Sequence, residues 1–379
     1  HHAPFTWPLL LILPLLATLS TPAAAQLQPE RLYYQVNRPV PMRVVVPERT
    51  TTARPEIVLF RREPGGDAET PDGIKATTVA KAAAADGRVD LAALFPILWT
   101  TREPAVLFAQ LVIEGERIGP PVVIEPLVTP DDATTELAYR LETAVRNQDR
   151  AALLQILGLP AFQLDRLSQT AHVEPPRRRV YTGIRTFVDQ HILFTTSFGE
   201  IEVRLRPDAA PRTVHHVREL VQGGFYTGID VHRVVNDDGR GRPFIIQAGD
   251  PTGEGFGGPG SRIDFEKSTL PHDFGILSLA RQLNDPDSGG SQFFICLSRQ
   301  ACAGLDGQYA SFAETVRGGD VIEAMAAVAV DLADPSDPNS PYDRPIEPPV
   351  IESAVLIDAP PFGEGAPAAT RQPVGNVER

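Results

Sequence analysis

Short apolar runs recur along the first third of the chain, and turns rich in Gly, Pro and Asp separate them. The turns include PGGD at 64–67, ADG at 85–87 and EGE at 114–116. Regularly spaced short strands with such turns are typical of a β-sandwich. We therefore predict a β-sandwich-like domain over residues 26–128, with strands near 32–36, 42–46, 57–60, 77–80, 88–91, 106–113 and 122–124.

Helical spacing replaces the strand pattern after residue 128. Two aspartates at 131 and 132 supply N-cap chemistry and favourable charge for a helix N-terminus, and leucines follow at helical intervals. A Gly and a Pro at 158 and 160 would end a second helical segment. The pattern predicts a short helical connector over residues 129–178. We expect its leucines, which follow at helical spacing, to pack in a core rather than to bind a ligand.

A second β-rich region follows the connector. We predict a domain over residues 179–358, in which strands at 191–196 and 200–205 flank a turn and a helix runs over 214–222. Residues 359–379 are rich in Pro, Gly and Ala, which is typical of a disordered tail. The pattern as a whole predicts a mainly β protein.

The first 25 residues have the layout of a secretory signal. Residues 7–19 are almost wholly apolar, no charged side chain precedes Glu30 if His is neutral, and three alanines at 23–25 offer a cleavage site. The apolar run is too short to span a bilayer. His1 and His2 stand where a Met and a basic segment are usual. We predict a signal peptide over 1–25 and export to a periplasmic or extracellular location; an uncleaved anchor is the alternative.

Composition narrows the possible partners. The net charge of −13 and a pI near 5.1 give no electrostatic reason to expect nucleic acid or anionic lipid as a partner. The two cysteines, Cys296 and Cys302, cannot form a disulfide framework, and six residues apart they pair only if the loop folds back. Neither has a neighbouring Cys/His cluster that would suggest zinc, so we expect no metal and no cofactor.

One stretch, VHRVVNDDGRGRPFIIQAGD at 231–250, reads as a strand, a polar loop and a second strand. It places Arg233 on the same strand face as Val231 and Val235. A cation on an apolar face is costly unless it is paired or used, and Gln247 is a plausible partner. The alternative is an arginine that extends its charged end into solvent at a barrel mouth.

Five motifs in order carry a family resemblance: SFGEIEVRLRPDAAPRTVHHVRELVQGGFYTGIDVHRVV, FIIQAGDPTGEGFGGPG, HDFGILSLA, GGSQFFICLS and LDGQYASFAETVRGGDVIEAM. Together they resemble a cyclophilin over about residues 189–358. The resemblance implies a closed antiparallel β-barrel of eight strands with two capping helices. It also implies peptidyl-prolyl cis–trans isomerase activity on proline-containing polypeptides.

The resemblance also implies roles for individual residues. Arg233 matches the catalytic arginine, and Gln247 would orient it and touch the substrate backbone. Tyr309 stands where the family often has His, and its hydroxyl can still donate a hydrogen bond. The residues implied in substrate binding are Phe244, Ile245, Ala280, Gln292, Phe294, Leu305 and Tyr309.

The chemistry of the reaction agrees with these residue types. Amide resonance sets a rotation barrier of about 18–20 kcal/mol, and a catalyst need only bind the twisted amide more tightly than either planar form. In the twisted form the prolyl nitrogen regains its lone pair and accepts a hydrogen bond. A permanently charged donor such as Arg233 beside an apolar proline pocket therefore suits the reaction without a nucleophile, metal or cofactor.

Three departures from the family pattern bear on function. Residues 236–243 (NDDGRGRP) replace a much shorter loop, and residues 281–289 are also longer than in many relatives. Gly304 stands where members that bind cyclosporin tightly carry Trp, so we expect weak cyclosporin binding. We expect an exported prolyl isomerase that accelerates protein folding; the alternative is a catalytically weak proline-peptide-binding scaffold or chaperone module of the cell envelope.

Overall fold

The computed structural model describes residues 26–46, 54–63, 71–85, 87–128, 144, 152, 180–331 and 343–371. Their secondary structure is mainly β with few helices. The predicted signal peptide at 1–25 and the predicted connector at 129–178, apart from residues 144 and 152, lie outside the described residues. Within the described part of the chain, no helix is long and apolar enough to cross a membrane.

The C-terminal half is built on a nine-stranded antiparallel sheet in the order β12-β20-β10-β11-β17-β15-β16-β14-β13. Its strands are β10 (Gln190–Thr196), β11 (Gly199–Leu205), β12 (Ile229–Asp230), β13 (Arg233–Val235), β14 (Ile245–Ala248), β15 (Ile276–Leu279), β16 (Phe293–Cys296), β17 (Ser311–Arg317) and β20 (Val350–Asp358). A two-stranded sheet pairs β18 (Val330–Asp331) with β19 (Arg344–Pro345).

This sheet curls as a half-barrel, and the closed eight-stranded barrel that we predicted is not confirmed. The two edge strands, β12 and β13, are separated in sequence only by Val231 and His232. No ladder joins β12 to β13 among the pairings of the described strands. The sheet therefore has nine strands and two edges, and the two-residue segment between β12 and β13 connects one edge to the other.

Two helices pack against this sheet, as the resemblance implied. They are α3 (Pro211–Gln222) and α5 (Gly319–Ala326), and a single turn of helix, α4 (Arg299–Cys302), continues into a 3₁₀ turn at Ala303–Leu305. Helix α3 buries Val214, Val217 and Val221, which are spaced three and four residues apart and so share one face. These valines join the main core with inward side chains from the strands.

The N-terminal half contains a six-stranded sheet in the order β2-β9-β8-β7-β4-β5 and a three-stranded sheet in the order β1-β3-β6. The two sheets share one buried cluster. Two single helical turns, α1 (Leu91–Leu94) and α2 (Ile97–Thr100), follow β6. The strands are β1 (Gln26–Pro29), β2 (Tyr33–Gln35), β3 (Pro41–Val45), β4 (Glu56–Glu63), β5 (Lys75–Ala83), β6 (Gly87–Asp90), β7 (Leu107–Ile113), β8 (Glu116–Val128) and β9 (Tyr181–Val188).

The β-sandwich predicted over residues 26–128 is not supported. Strand β9, which we had placed in the following domain, pairs with β8 and β2 inside the six-stranded sheet. Both faces of this sheet are apolar: Val122 and Ile124 lie in the cluster shared with the small sheet, whereas Val123 lies in a cluster on the opposite face. A continuous apolar run in β8 is what a strand buried on both faces requires.

The chain passes from one half to the other through a single residue, Asp189, between β9 and β10. The Asp189 carboxylate accepts a hydrogen bond from Arg62 of β4 at 2.7 Å, and both side chains are almost fully buried. The Arg218 guanidinium of α3 lies 4.0 Å from the centre of the Phe187 ring of β9. These contacts fix the C-terminal half against the N-terminal sheet.

The C-terminal segment at 359–371 is not the disordered tail that we predicted; residues 372–379 lie outside the described residues. Phe362 is 3% exposed and packs on Phe60 in the cluster on the second face of the six-stranded sheet. Its backbone N–H donates to Gln110 at 3.2 Å, and the Ala369 N–H donates to Thr315 of β17 at 2.7 Å. One buried aromatic ring therefore anchors a Pro/Gly-rich segment across both halves.

Candidate functional site

Strand alternation separates the internal core from an apolar cluster on the outer face of the curled sheet. Val234 and Ile246 point into the main core, whereas their neighbours Val235 and Ile245 point outward. Across the ladder, Ile245 is opposite Cys296. The outer cluster, called the apolar pocket below, consists of Val235, Ile245, Phe294, Cys296 and Cys302, with Phe244, Ala280, Leu305 and Tyr309 packed against it.

Aromatic rings form the floor and one wall of the apolar pocket. Phe294 is 4% exposed, and the Tyr309 ring meets it edge-on, with centroids 5.4 Å apart at 83°. The His272 ring stacks on Phe294 at 5.9 Å and 17°. Because the two neighbouring rings limit its rotation, the Phe294 ring is held in one orientation and presents a fixed apolar face to the pocket.

The segment Leu305, Asp306, Gly307 holds the opposite wall. Asp306 accepts hydrogen bonds from the backbone N–H of His272 at 2.8 Å and pairs with Arg299 at 2.7 Å. The hydrogen bond from Arg299 holds the pKa of Asp306 well below its usual range. Gly307 adopts φ +69°, which favours glycine, and this turn places Leu305 against the pocket.

Arg233 lies on the edge strand β13 beside the pocket, and its side chain is 39% exposed. Its guanidinium is 3.7 Å from the carboxylate of Asp343, whose backbone carbonyl accepts from the Val234 N–H at 2.7 Å. An exposed pair at this distance is weak, so Arg233 keeps donors available. The strand begins only at Arg233, and Val231 lies in the internal core, so Arg233 shares its face with Val235 but not with Val231.

Gln247 is not the partner of Arg233 that we predicted. The two residues are opposite each other in the β13–β14 ladder, but no hydrogen bond joins their side chains among the described residues. Gln247 instead donates from Nε2 to Gln292 Oε1 at 3.0 Å. Gln292 in turn donates to the carbonyls of Gly255 and Gly257 at 3.0 and 2.9 Å. The two amides are thus fixed in one orientation next to Arg233.

Asp250 organises the glycine-rich loop that follows β14. Its buried carboxylate accepts from the backbone N–H groups of Thr252, Gly255 and Gly257 at 2.6 to 3.0 Å. Burial alone would raise the pKa of Asp250, but these hydrogen bonds outweigh burial and lower it to about 2. The loop carbonyls that hold Gln292 are therefore themselves fixed.

A polar groove of about 600 Å³ lies next to the apolar pocket. Ala280 belongs to both the groove lining and the pocket wall. Phe256, at the tip of the glycine-rich loop, lines the groove and is 93% exposed. The remaining lining comes mainly from Gly255, Gly257, Gly258, Arg262, Arg281, Gln282 and the amides of Gln247 and Gln292.

The long loop at 236–243 is internally bonded and packs on α4. Asp237 accepts from the backbone of Gly239 and Gly241, and Asp238 pairs with Arg242. Arg242 also donates to the Gln300 carbonyl at 3.1 Å. Among the described contacts, none joins this loop to Gln247, Gln292 or Tyr309. The loop borders the pocket on the α4 side.

Both cysteines belong to the apolar pocket as free, buried thiols. The Cys302 Sγ lies 3.1 Å from the Phe244 carbonyl oxygen, to which it donates. Of the described residues, no group of three or more His, Cys, Asp or Glu side chains is arranged to hold a metal ion.

The structure brings all nine predicted site residues to one place, and it adds others that the sequence did not indicate. Asp343 beside Arg233 lies more than a hundred positions away, in a segment that reads only as a Pro/Asp loop. Asp250 could have been found, because an acid directly before PTGEGFGG is well placed to accept several loop N–H groups. The contact between the Arg281 guanidinium and the Tyr309 ring could not be predicted from the pattern of apolar and polar residues.

Comparisons with known proteins identify the C-terminal half. The family model for the cyclophilin type peptidyl-prolyl cis-trans isomerase/CLD matches residues 191–355. The peptidyl-prolyl cis-trans isomerase ppi1 of Schizosaccharomyces pombe is 38% identical over 167 residues, which are 43% of this chain and 96% of that protein. The peptidyl-prolyl cis-trans isomerase B of Streptomyces anulatus is 35% identical over 183 residues, 42% of this chain and 93% of that protein.

A crystal structure of a cyclophilin type isomerase of Cryptosporidium parvum, determined in the presence of the dipeptide Ala-Pro, is 28% identical. It covers 45% of this chain and 100% of its own, with a TM-score of 0.38. The family match encloses the apolar pocket, Arg233 and the two glutamines. Since the chain also spans nearly the whole of a relative to which it is 38% identical, it belongs to the cyclophilin-type peptidyl-prolyl cis–trans isomerases.

Proposed function

We propose that this isomerase accelerates X–Pro isomerisation by hydrogen bonding from Arg233 to the prolyl nitrogen of the twisted amide. The observation that carries the proposal is the position of a half-exposed guanidinium at the rim of an apolar pocket. The guanidinium is a cationic hydrogen-bond donor, and only the twisted amide offers it a lone pair on the prolyl nitrogen. Arg233 therefore binds the transition state better than either planar form.

The apolar pocket is the binding site for the prolyl ring in this proposal. Phe294 forms its floor, and Phe244, Ile245, Leu305 and Tyr309 form its walls. An apolar ring enters such a pocket favourably because its surface leaves water. The pocket then holds the proline while the preceding residue rotates about the amide.

The substrate backbone lies along the polar edge of the site. Gln247, Gln292 and Ala280 line the groove beside the pocket, and the glutamine amides are already oriented by hydrogen bonds. Fixed amides can pair with peptide N–H and C=O groups without losing side-chain freedom on binding. Gln247 thus acts on the substrate backbone rather than through Arg233.

We infer that the substrates are proline-containing segments of folding proteins outside the cytoplasm. The support is the apolar stretch with a small-residue site at 1–25. The N-terminal sheets, fixed to the isomerase half through Asp189 and Arg62, are candidates for holding such clients. The second candidate function, a weakly catalytic peptide-binding scaffold, is favoured by the long loop at 236–243 beside the pocket.

Exchange spectroscopy by NMR on an Ala-Pro-containing peptide separates the two functions. The full chain at substoichiometric concentration should produce cis–trans exchange cross-peaks that the free peptide lacks, because uncatalysed exchange takes tens of seconds. Chemical-shift changes on binding without any exchange enhancement would favour the scaffold and contradict the isomerase. Accumulation of the processed chain without residues 1–25 outside the cytoplasm tests export.

A further inference from the structure

Arg281 lies where the apolar pocket and the polar groove meet. Its guanidinium carbon is 4.6 Å from the centre of the Tyr309 ring in the pocket wall. It also lines the groove, next to Ala280, which belongs to both surfaces. An extended peptide advances about 3.3 Å per residue, so a segment with its proline in the pocket reaches Arg281 within about two residues.

Three backbone carbonyls fix the Arg281 guanidinium. Its Nε donates to Gln308 at 3.0 Å, and its Nη1 donates to Gln282 and Leu283 at 2.9 and 3.1 Å. Stacking on an aromatic ring and bonding to carbonyls both hold a planar guanidinium in one position. In the described structure Nη2 donates to no protein group, so one edge of this fixed cation remains for a ligand.

The charge of Arg281 has no acidic counterpart. Among the described residues, no Asp or Glu lies within 4.0 Å of it, whereas the other groove arginine, Arg262, pairs with Asp285 at 3.3 Å. The described residues that line the groove include two arginines and no acid. A fixed and uncompensated cation in a concave polar surface attracts a carboxylate.

We propose that Arg281 is a specificity-determining residue that makes the groove select proline segments with an Asp or Glu side chain within two residues of the proline. This inference rests on the proposed isomerase function, because it assumes that the proline ring occupies the apolar pocket. The carboxylate pairs with the Nη2 edge of Arg281 across the groove mouth. A lysine side chain at the same peptide position is disfavoured by like charge.

The test compares peptides that differ only by Glu or Gln at one position, placed at each of the two residues before and after the proline. The full chain should show, at one of these positions, a kcat/KM about threefold to fivefold higher for Glu, as expected for a partly exposed ion pair. This ratio should fall towards one at 0.5 M salt. In Arg281→Gln it should fall to one, whereas Arg317→Gln, a control outside the groove lining, should keep it.

Arg281→Lys retains the charge and should keep part of the preference, which covers the case that Arg281→Gln does not fold. A Glu/Gln ratio of one at all four positions in the active wild-type chain would overturn the inference and leave the isomerase function intact. A ratio that survives in Arg281→Gln, or that salt does not lower, would also overturn it. Failure to accelerate any peptide would instead contradict the isomerase function itself.

Discussion

Replacing Phe362 by Ala should separate the C-terminal segment from the N-terminal sheet. The side chain is 3% exposed, its ring centroid lies 4.6 Å from that of Phe60, and the Arg117 guanidinium lies 5.0 Å from its centre. Removing a buried Phe side chain typically costs about 3–5 kcal/mol. Phe362→Leu keeps most of the apolar area and loses the ring contacts, each of which contributes about 1 kcal/mol. Ala should therefore destabilise clearly more than Leu.

Tryptophan fluorescence reports the loss of stability of the N-terminal sheets selectively. The chain has two tryptophans, Trp7 and Trp99, and Trp99 packs against the cluster that the two N-terminal sheets share, while the isomerase half has none. For an m-value of about 2–3 kcal/mol/M, the urea midpoint should fall by about 1–2 M in Phe362→Ala. Isomerase activity at 25 °C in buffer should stay near the wild-type value.

Phe198→Ala is the matched control, because Phe198 is 42% exposed in a hairpin turn of the isomerase half. Its removal should leave the Trp99 transition within about 0.5 kcal/mol of wild type. A Phe362→Ala midpoint equal to that of Phe198→Ala would show that the segment at 359–371 does not hold the two halves together.

Three further outcomes are expected. Burial lowers the pKa of His215 from 6.5 to about 4, so between these pH values the unfolded chain binds a proton that the folded chain excludes. The free energy of unfolding should therefore fall as the pH drops from 6.5 to 4. The urea midpoints at pH 7 and pH 5 should differ less in His215→Asn than in the wild type. Asp250→Asn should lower kcat/KM about tenfold, because it loosens the loop that holds Gln292. NMR exchange spectroscopy measures this change under conditions in which the variant is fully folded. Cyclosporin should bind weakly by calorimetry, and Gly304→Trp should tighten its binding at least tenfold, since no atom of the described residues other than its chain neighbours lies within 4 Å of a Cβ added at Gly304.

The sequence predicted which side chains lie close together better than it predicted the fold around them. The ordered motifs identified eight residues that line the pocket or the groove, and Arg233 on the edge strand beside them. A strand, once placed, fixes by alternation which side chains point outward, as with Ile245. The orientation of Gln247 could not be predicted because it depends on Gln292, which lies directly before β16 and 45 positions away along the chain. Side-chain pairing across strands is not encoded in local periodicity.

The domain boundaries and the C-terminal segment could not be read from local patterns. Strand β9 looks like any other alternating strand, and only its ladder with β8 assigns it to the N-terminal sheet. Phe362 is a single aromatic residue in a Pro/Gly/Ala-rich stretch, so composition favoured disorder. Its burial depends on an apolar second face of the six-stranded sheet, to which Phe108 and Val123 contribute from separate strands.

The central claim, that Arg233 donates to the twisting prolyl amide, is tested most directly by kcat/KM for one Ala-Pro peptide in wild type, Arg233→Ala and Arg233→Lys. Arg233 is 39% exposed on an edge strand, so both variants should fold with wild-type urea midpoints. Loss of a preorganised donor to a transition state typically costs about 100-fold to 1000-fold, which is the fall expected in Arg233→Ala, with Arg233→Lys between it and wild type. A folded Arg233→Ala variant with wild-type kcat/KM would contradict the mechanism.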